Sequence, residues 1–523
     1  MVGSKTDLRS GSPTSATPAL GSEGWCLVTP VRASRRSLVL LLPLAALALV
    51  ACNGAGTDLP PALSAPGDQR TTLGEPLQVS LTVTDEVPAS VVVTATSSNE
   101  QVVPASGLAL SGAGVTRTLT LTPSSVQSGT TTIMVSATDA AGQTGSREFA
   151  LEVAVPFQGE PQLLTPQSGD PIGVAVAIDA GLVVAGGAQS AYLFELAGTD
   201  WVESQKLTPP EDNLNDVQGF GEAVAVEGDR VLVGAHETNG TSTQQGAAYL
   251  FERGPAGFES AGELLDPAPE ADDRLGRAVG ISGDHLLTGA PGASANDVRS
   301  GSVVAFQPDS PSGWTLLGKL TPSDATTGTV FGEVLDVSGD LLAVGDYAND
   351  ERGSDAGAAY VFEREGGFWT ESAKLAPPEL EAGDQFGLAV AADDGWVLVG
   401  SESDDDEGSD AGAVYVFTDA GAGWQQVDKL YASDAAVNGG FGSGVALDYP
   451  YAVVAAKYDD ELGQNTGAVY VFRHDGTTWH QVAKLRSPQP TTEAYFGWSV
   501  DVSGEHLVVS QLGAAVLTAV FQR

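Results

Sequence analysis

Three short stretches of this 523-residue chain set oxygen-bearing side chains at every second position around a glycine: Asn349, Glu351, Gly353 and Asp355; Asp404, Asp406, Gly408 and Asp410; Asp459, Glu461, Gly463 and Asn465. Alternating oxygens with a glycine at the bend suit a hard cation that takes about six to eight oxygen ligands, and calcium is the ion expected. The stretch from Glu402 to Asp410 carries Glu402, Asp404, Asp405, Asp406, Glu407 and Asp410 with no base among them, so without a counter-cation it would repel itself. Solvated acidic turns on a very acidic surface have the same look, and both readings stay open here. The corresponding residues of two earlier stretches, Thr238, Gly240, Ser242, Gln244 and Ala293, Ala295, Asp297, Arg299, are not expected to hold a metal.

Catalytic constellations are missing. The five histidines, His236, His285, His474, His480 and His506, make no HExxH motif and no pair at zinc-ligand spacing, and there is no G-x-S-x-G elbow. His285 and His506 share one repeat position and read as surface sites. The many Asp and Glu residues single out no acid–base pair, so the chain is expected not to be an enzyme.

The elements that must position the acidic stretches repeat. Phe-Gly recurs at Phe220-Gly221, Phe331-Gly332, Phe386-Gly387, Phe441-Gly442 and Phe496-Gly497, with Ile172-Gly173 and Leu275-Gly276 as degenerate copies, while Trp314, Trp369, Trp424 and Trp479 are 55 residues apart. A fixed period of this length marks stacked supersecondary units, and seven are expected. Each holds four β-runs, as in FGLAVAA, WVLVGS, GAVYVF and WQQVDKLYA, and four antiparallel strands at this period make a propeller blade. The acidic stretches fall between the second and third runs of units four to six. The last unit stops at its third strand, whereas EPQLLTP (160–166) aligns with fourth-strand segments, so an N-terminal strand is expected to complete the C-terminal blade.

GAVYVF (412–417 and 467–472), GAAYVF (357–362), GAP (289–291) and the Phe-Gly landmarks resemble FG-GAP repeats, as in the propeller of integrin α chains. The resemblance covers residues 159–523 and implies noncovalent recognition. It also implies calcium loops of the pattern D-x-D-x-D-G-x-x-D, from which this chain departs, with Gly where the third acid would stand.

Ahead of the repeats, residues 67–155 alternate in short runs such as LQVSLTVTD and TTIMVSATD, which fits an Ig-like or cadherin-like β-sandwich with Asp139 and Gly142 in its last turn. Residues 52–66 read as a flexible tether. Residues 1–51 read as a signal peptide with an over-long start: Arg32, Arg35 and Arg36 precede the apolar run Leu38 to Val50, too short to span a membrane. Leu49-Val50-Ala51-Cys52 resembles the bacterial lipobox, which implies acylation of Cys52, a lipid bilayer as partner and, with Asn53 rather than Asp next, the outer membrane or cell surface of a bacterial envelope.

Composition agrees with an exported all-β chain: 42% apolar residues, 64 Gly and 29 Pro, against only 17% charged. Lys and Arg number 24 against 67 Asp and Glu, a net charge of −43, so phosphate backbones repel the chain and nucleic acid is excluded. The expected fold is all-β, a seven-bladed β-propeller preceded by an Ig-like β-sandwich. The expected function is cell-surface recognition of an extracellular protein or polysaccharide, with a polysaccharide-active enzyme or an envelope scaffold as rivals.

Overall fold

Runs of β-branched and aromatic residues punctuated by Gly-containing turns favour antiparallel sheets. The structure, a computed structural model, describes residues 59–64, 66–210, 217–295, 298–309, 313–513 and 516–523, and among these there is no α-helix. The signal segment, Cys52 and most of the expected tether lie outside the described residues.

From residue 162 onward the described residues form seven four-stranded antiparallel sheets in a propeller-like arrangement. Six take their strands in chain order, as in Phe441–Asp448, Tyr451–Ala456, Ala468–His474 and Trp479–Arg486 of the sixth. The third admits an extra two-residue hairpin, Ser294–Ala295 with Val298–Arg299. In the seventh, Phe496–Ser503, His506–Gln511 and Leu517–Gln522 are joined by Gln162–Leu164, with Thr518 opposite Leu164 and Val520 opposite Gln162. The N-terminal strand therefore completes the C-terminal sheet as the repeat alignment implies. The first strand of each sheet lies against the first strand of the next, and that of the seventh against that of the first.

What couples neighbouring sheets is backbone meeting backbone. A Cβ added to Gly234, Gly289, Gly345 or Gly400, at the end of a second strand, would overlap the carbonyl oxygen of Gly276, Gly332, Gly387 or Gly442 in the following repeat. Each Phe of the Phe-Gly pairs is fully buried between two sheets. Phe386, for example, meets Tyr415 edge-on at 5.1 Å and Phe417 at 6.1 Å. At the other end of the first strands carboxylates clasp the next sheet: Asp179 accepts from the Gly228 N–H at 2.7 Å, Asp393 from Tyr449 at 2.9 Å, Asp448 from Gly504 at 2.6 Å, and Asp501 closes the circuit on Ile178 at 2.7 Å.

The N-terminal region forms two four-stranded sheets over one buried core, to which Val79, Leu119, Ile133 and Leu151 contribute. The tether ends earlier than its composition suggests: Ala62–Ser64 pairs with Leu77–Thr84, because Leu63 finds a place in that core. In the last turn Asp139 accepts from the N–H groups of Ala141 and Gln143, and Gly142 has φ 85°. These sheets dock on the sixth and seventh repeat sheets, at the end where their first strands turn into their second. There Phe157 packs edge-on against Tyr451 at 5.9 Å, and Glu75 accepts from the Tyr451 hydroxyl at 3.3 Å and pairs with Arg473 at 3.5 Å.

Gly412 and Gly421 both sit at positive φ, 83° and 86°, but only Gly412 abuts backbone, that of Phe441; nothing lies within 4 Å of a Cβ on Gly421. Thermal or urea unfolding should show Gly412→Ala losing more than about 3 kcal/mol and Gly421→Ala only about 1 kcal/mol, the second figure being the cost of the left-handed backbone alone.

Candidate recognition face

Antiparallel order sends the second-to-third-strand loops, and the loops leading into each Phe-Gly, to one end of the sheets. In the sixth sheet Phe441 faces Ala456, Ala456 faces Ala468, and Ala468 faces Arg486. The acidic stretches and the mouth of an axial channel share this end.

Each acidic loop already contains a cation. Lys374, Lys429 and Lys484 lie on fourth strands directly opposite Tyr360, Tyr415 and Tyr470, and the register carries each ammonium into the loop of its own sheet. Lys429 Nζ is 2.7 Å from Asp404 and 2.6 Å from Asp406, and Lys484 Nζ is 2.9 Å from Asp459 and 2.8 Å from Glu461. Lys374 Nζ is 2.6 Å from Glu351 and also pairs with Asp324. Each lysine lies over the ring of the tyrosine opposite, at 5.5, 4.4 and 5.0 Å in turn. Tyr415 donates to Asp404 at 2.8 Å, Tyr360 to Asp324 at 2.8 Å, and Tyr470 to Asp434 at 2.9 Å and Asp459 at 3.2 Å.

Burial alone would lower the pKa of Lys429, but the hydrogen bonds to Asp404 and Asp406 outweigh it and hold the ammonium above its ordinary value. The Lys429 hydrogen bond holds Asp406 below the usual carboxylate range, and Arg486 with Lys484 lowers Glu461 to about 2.

Of the nine residues expected to bind metal, the structure therefore brings Glu351, Asp404, Asp406, Asp459 and Glu461 onto lysines. Asn349 is buried and donates instead to Asp346 at 3.2 Å. Asp355, Asp410 and Asn465 stay out of these clusters: each sits at positive φ with its N–H held by Asp350, Asp405 or Asp460 at 2.8, 2.7 and 2.6 Å. Among the described residues no group of three or more Asp, Glu, His or Cys stands in metal-holding geometry. In the loops of Asp404 and Asp459 an ammonium stands between the leading oxygens, and in that of Glu351 it bridges to Asp324.

The second sheet supports the coupling by exchange. Thr238 replaces the leading acid, Glu263 replaces the lysine, and Tyr249 donates to Glu263 at 2.9 Å. Neither lysines nor tyrosines were read as site residues from the sequence, although Lys319, Lys374, Lys429 and Lys484, and Tyr360, Tyr415 and Tyr470, recur at intervals of 55.

The axial channel is narrowed by one residue from each sheet: Val176, Val224, Val279, Leu335, Val390, Val445 and Val500. Below this ring a cavity of about 420 Å³ is lined by carboxylates, where burial raises Asp336 to about 6 and Asp501 to about 7. Above it opens a mouth of about 700 Å³. Its rim is the residue that follows the Gly of each Phe-Gly or its degenerate copy. Glu222, Arg277 and Glu333 form a polar arc on consecutive sheets, Leu388, Trp498 and Val174 supply apolar surface, and Ser443 stands between Leu388 and Trp498. Arg277 pairs with Glu333 at 2.7 Å, and Trp498 keeps 42% of its surface exposed.

Two histidines depart from expectation. His285 is buried and accepts from Trp369 Nε1 at 2.8 Å, and His506 packs edge-on against Trp201 at 5.2 Å, so an inter-sheet aromatic contact, not solvent, occupies their shared position.

Removing the Lys429 ammonium leaves the buried Asp404 carboxylate without its counter-charge, at a cost of about 3 kcal/mol. Wild-type protein should melt at the same temperature in EDTA, calcium and magnesium at matched ionic strength. Lys429→Met should melt lower, and calcium should restore part of the loss.

No curated protein matches the chain. Among solved structures, the SrpA adhesin from Streptococcus sanguinis is 14% identical over 30% of this chain and 94% of that chain, with a TM-score of 0.19. Apo AztD from Citrobacter koseri is 11% identical over 69% of this chain and 93% of that chain, with a TM-score of 0.33. At such scores neither carries its role across. The FG-GAP repeat family matches at residues 201–251, 260–306, 314–362, 369–417, 424–472 and 479–516, more than half of the chain, each segment running from the fourth strand of one repeat sheet into the next sheet. With the Phe-Gly pairs buried between sheets and a fourth strand leading into the first strands of the next sheet in each matched segment, the chain belongs to the FG-GAP repeat family.

Proposed function

We propose that this chain is a cell-envelope recognition protein that binds its ligand noncovalently at the channel mouth. In this reading the seven repeat sheets are the blades of a seven-bladed propeller, the N-terminal sheets are an Ig-like spacer, and acylated Cys52 holds the protein to a bacterial membrane. The observation that carries the reading is where the repeats differ. Around an almost constant frame of Phe, Gly, Tyr and Lys, the residue after the Phe-Gly landmark is Val174, Glu222, Arg277, Glu333, Leu388, Ser443 or Trp498. Variation concentrated at one rim, on a frame held rigid by backbone contact, is how a repeated scaffold acquires a specific surface. The N-terminal sheets dock at the opposite end of the sixth and seventh sheets, so attachment through that module leaves the mouth accessible. With lysines in the acidic loops, recognition in this reading does not require calcium.

Immobilised extracellular polysaccharides and matrix proteins, screened with the purified chain, test the site. Ser443→Arg, which fills the mouth from a half-buried rim position, should abolish any specific binding, while Gly421→Ala should leave it intact. A ligand indifferent to Ser443→Arg would put recognition elsewhere. The anchor has its own test: labelled palmitate should be incorporated by cells expressing the wild-type chain and not by those expressing Cys52→Ala.

A further inference from the structure

We propose that the mouth takes the end of a neutral saccharide chain, with Trp498 as the stacking platform and the Glu222, Arg277 and Glu333 arc as partners for its hydroxyls. This rests on the reading of the mouth as the recognition site.

Size is the first argument. A cavity of about 700 Å³ lies within the range of roughly 300–1,000 Å³ that small-ligand sites occupy, and its concave form suits a slender ligand better than the broad surface a folded partner presents. A chain end fits where a globular surface does not.

Polarity is the second. The rim is divided: carboxylates and a guanidinium stand on three consecutive sheets, and the exposed Trp498 indole stands across from them with Leu388 and Val174 on the same apolar side. A pyranose is divided in the same sense, with a C–H face that packs on an aromatic ring and a rim of hydroxyls that donate to carboxylates and accept from guanidinium. A wholly apolar ligand would desolvate Glu222 and the Arg277–Glu333 pair without offering them a polar contact, which is costly. Trp498 is held for this role: Tyr495 packs against it at 6.4 Å and 67°, and Lys457 Nζ lies 6.0 Å from its ring centroid.

Charge is the third, and it excludes acidic sugars. The two cations of the mouth are already neutralised, Arg277 by Glu333 at 2.7 Å and Lys457 by Glu402 at 2.8 Å. Glu222 adds a further carboxylate beside them, and the whole chain carries −43. A uronate or sulfate would have to displace an intramolecular carboxylate to find a base, against the field of the protein.

Calorimetric titration of the purified chain with neutral hexasaccharides (cello-, laminari-, manno- and chito-) and with oligogalacturonate tests the inference. At least one neutral oligosaccharide should bind saturably, with affinity unchanged between low and high salt. Trp498→Ala should weaken it by at least about tenfold and Trp498→Phe by less than about threefold, since the platform and not the indole N–H is at work. Unchanged melting of both variants separates lost binding from lost folding, as the Trp498 side chain is outside the core. Binding of oligogalacturonate alone, or of no saccharide in the panel, overturns the inference. If a protein ligand is blocked by Ser443→Arg but indifferent to Trp498→Ala, the mouth stands as the recognition site and the saccharide falls. If no ligand of either screen is blocked by Ser443→Arg, both readings fall.

Discussion

Everything in the repeat region depends on adjacent sheets touching through their backbones. Where the second strand of each of the first five sheets ends, its glycine lies against the carbonyl of a glycine in the next repeat, at a separation that leaves no room for a methyl group. That contact draws the first strands together around the axis, which sets the width of the channel, and it fixes the residue after each Phe-Gly on the rim. The buried Phe rings then fill the wedge that opens between sheets farther out. Close approach at the axis and bulk at the periphery are the two halves of one geometric requirement, and they explain why Phe and Gly occur as a pair.

The acidic loops illustrate how one electrostatic problem admits two answers. A row of carboxylates at the edge of a sheet needs positive charge, and a mobile divalent ion would make the loop's order depend on the surroundings. Here the charge is part of the chain. It arrives from the fourth strand on a lysine stem that packs along a tyrosine ring, and the carboxylates it meets are drawn from the loop before the sheet as well as from the loop within it. The second sheet lacks both the leading acid and the lysine, whereas the third, with Ala293 at the leading position, keeps Lys319 and pairs it with Asp266 from the loop before the sheet.

Much of the architecture was legible in the sequence because the repeat imposes it. The number of strands per unit, the positions of Phe-Gly and the use of Gln162–Leu164 to complete the last sheet all followed from aligning one unit on the next. The site was legible only in part. Asp404 and Asp406 were singled out as metal ligands, but alternation along one loop says nothing about what the neighbouring strand delivers, and Lys429, 23 residues beyond Asp406, lies opposite Tyr415 in register. A base distant in the chain cancels what looks like an uncompensated run of acids. The rim was missed for the opposite reason: attention went to what recurs, and Val174, Glu222, Arg277 and Trp498 carry meaning through not recurring. Leu63 was assigned to a tether because residues 52–66 are rich in Gly, Pro and Ala and show no hydrophobic period, yet one buried leucine sufficed to make Ala62–Ser64 a strand.

Completion of the seventh sheet by Gln162–Leu164 also orders events in time. That strand is synthesised before any of the repeats and its partner, Leu517–Gln522, after all of them, so the earliest segment must wait, unpaired, for the last. Loop closure over such a separation is the slowest kind of contact to form, whereas each hairpin within a sheet is local. Synthesis thus yields a growing series of sheets with an exposed edge at either end until Leu517–Gln522 pairs with Gln162–Leu164. A chain lacking Leu517–Gln522 leaves Gln162–Leu164 unpaired, so this one strand carries the closing contact between the two ends of the repeat region.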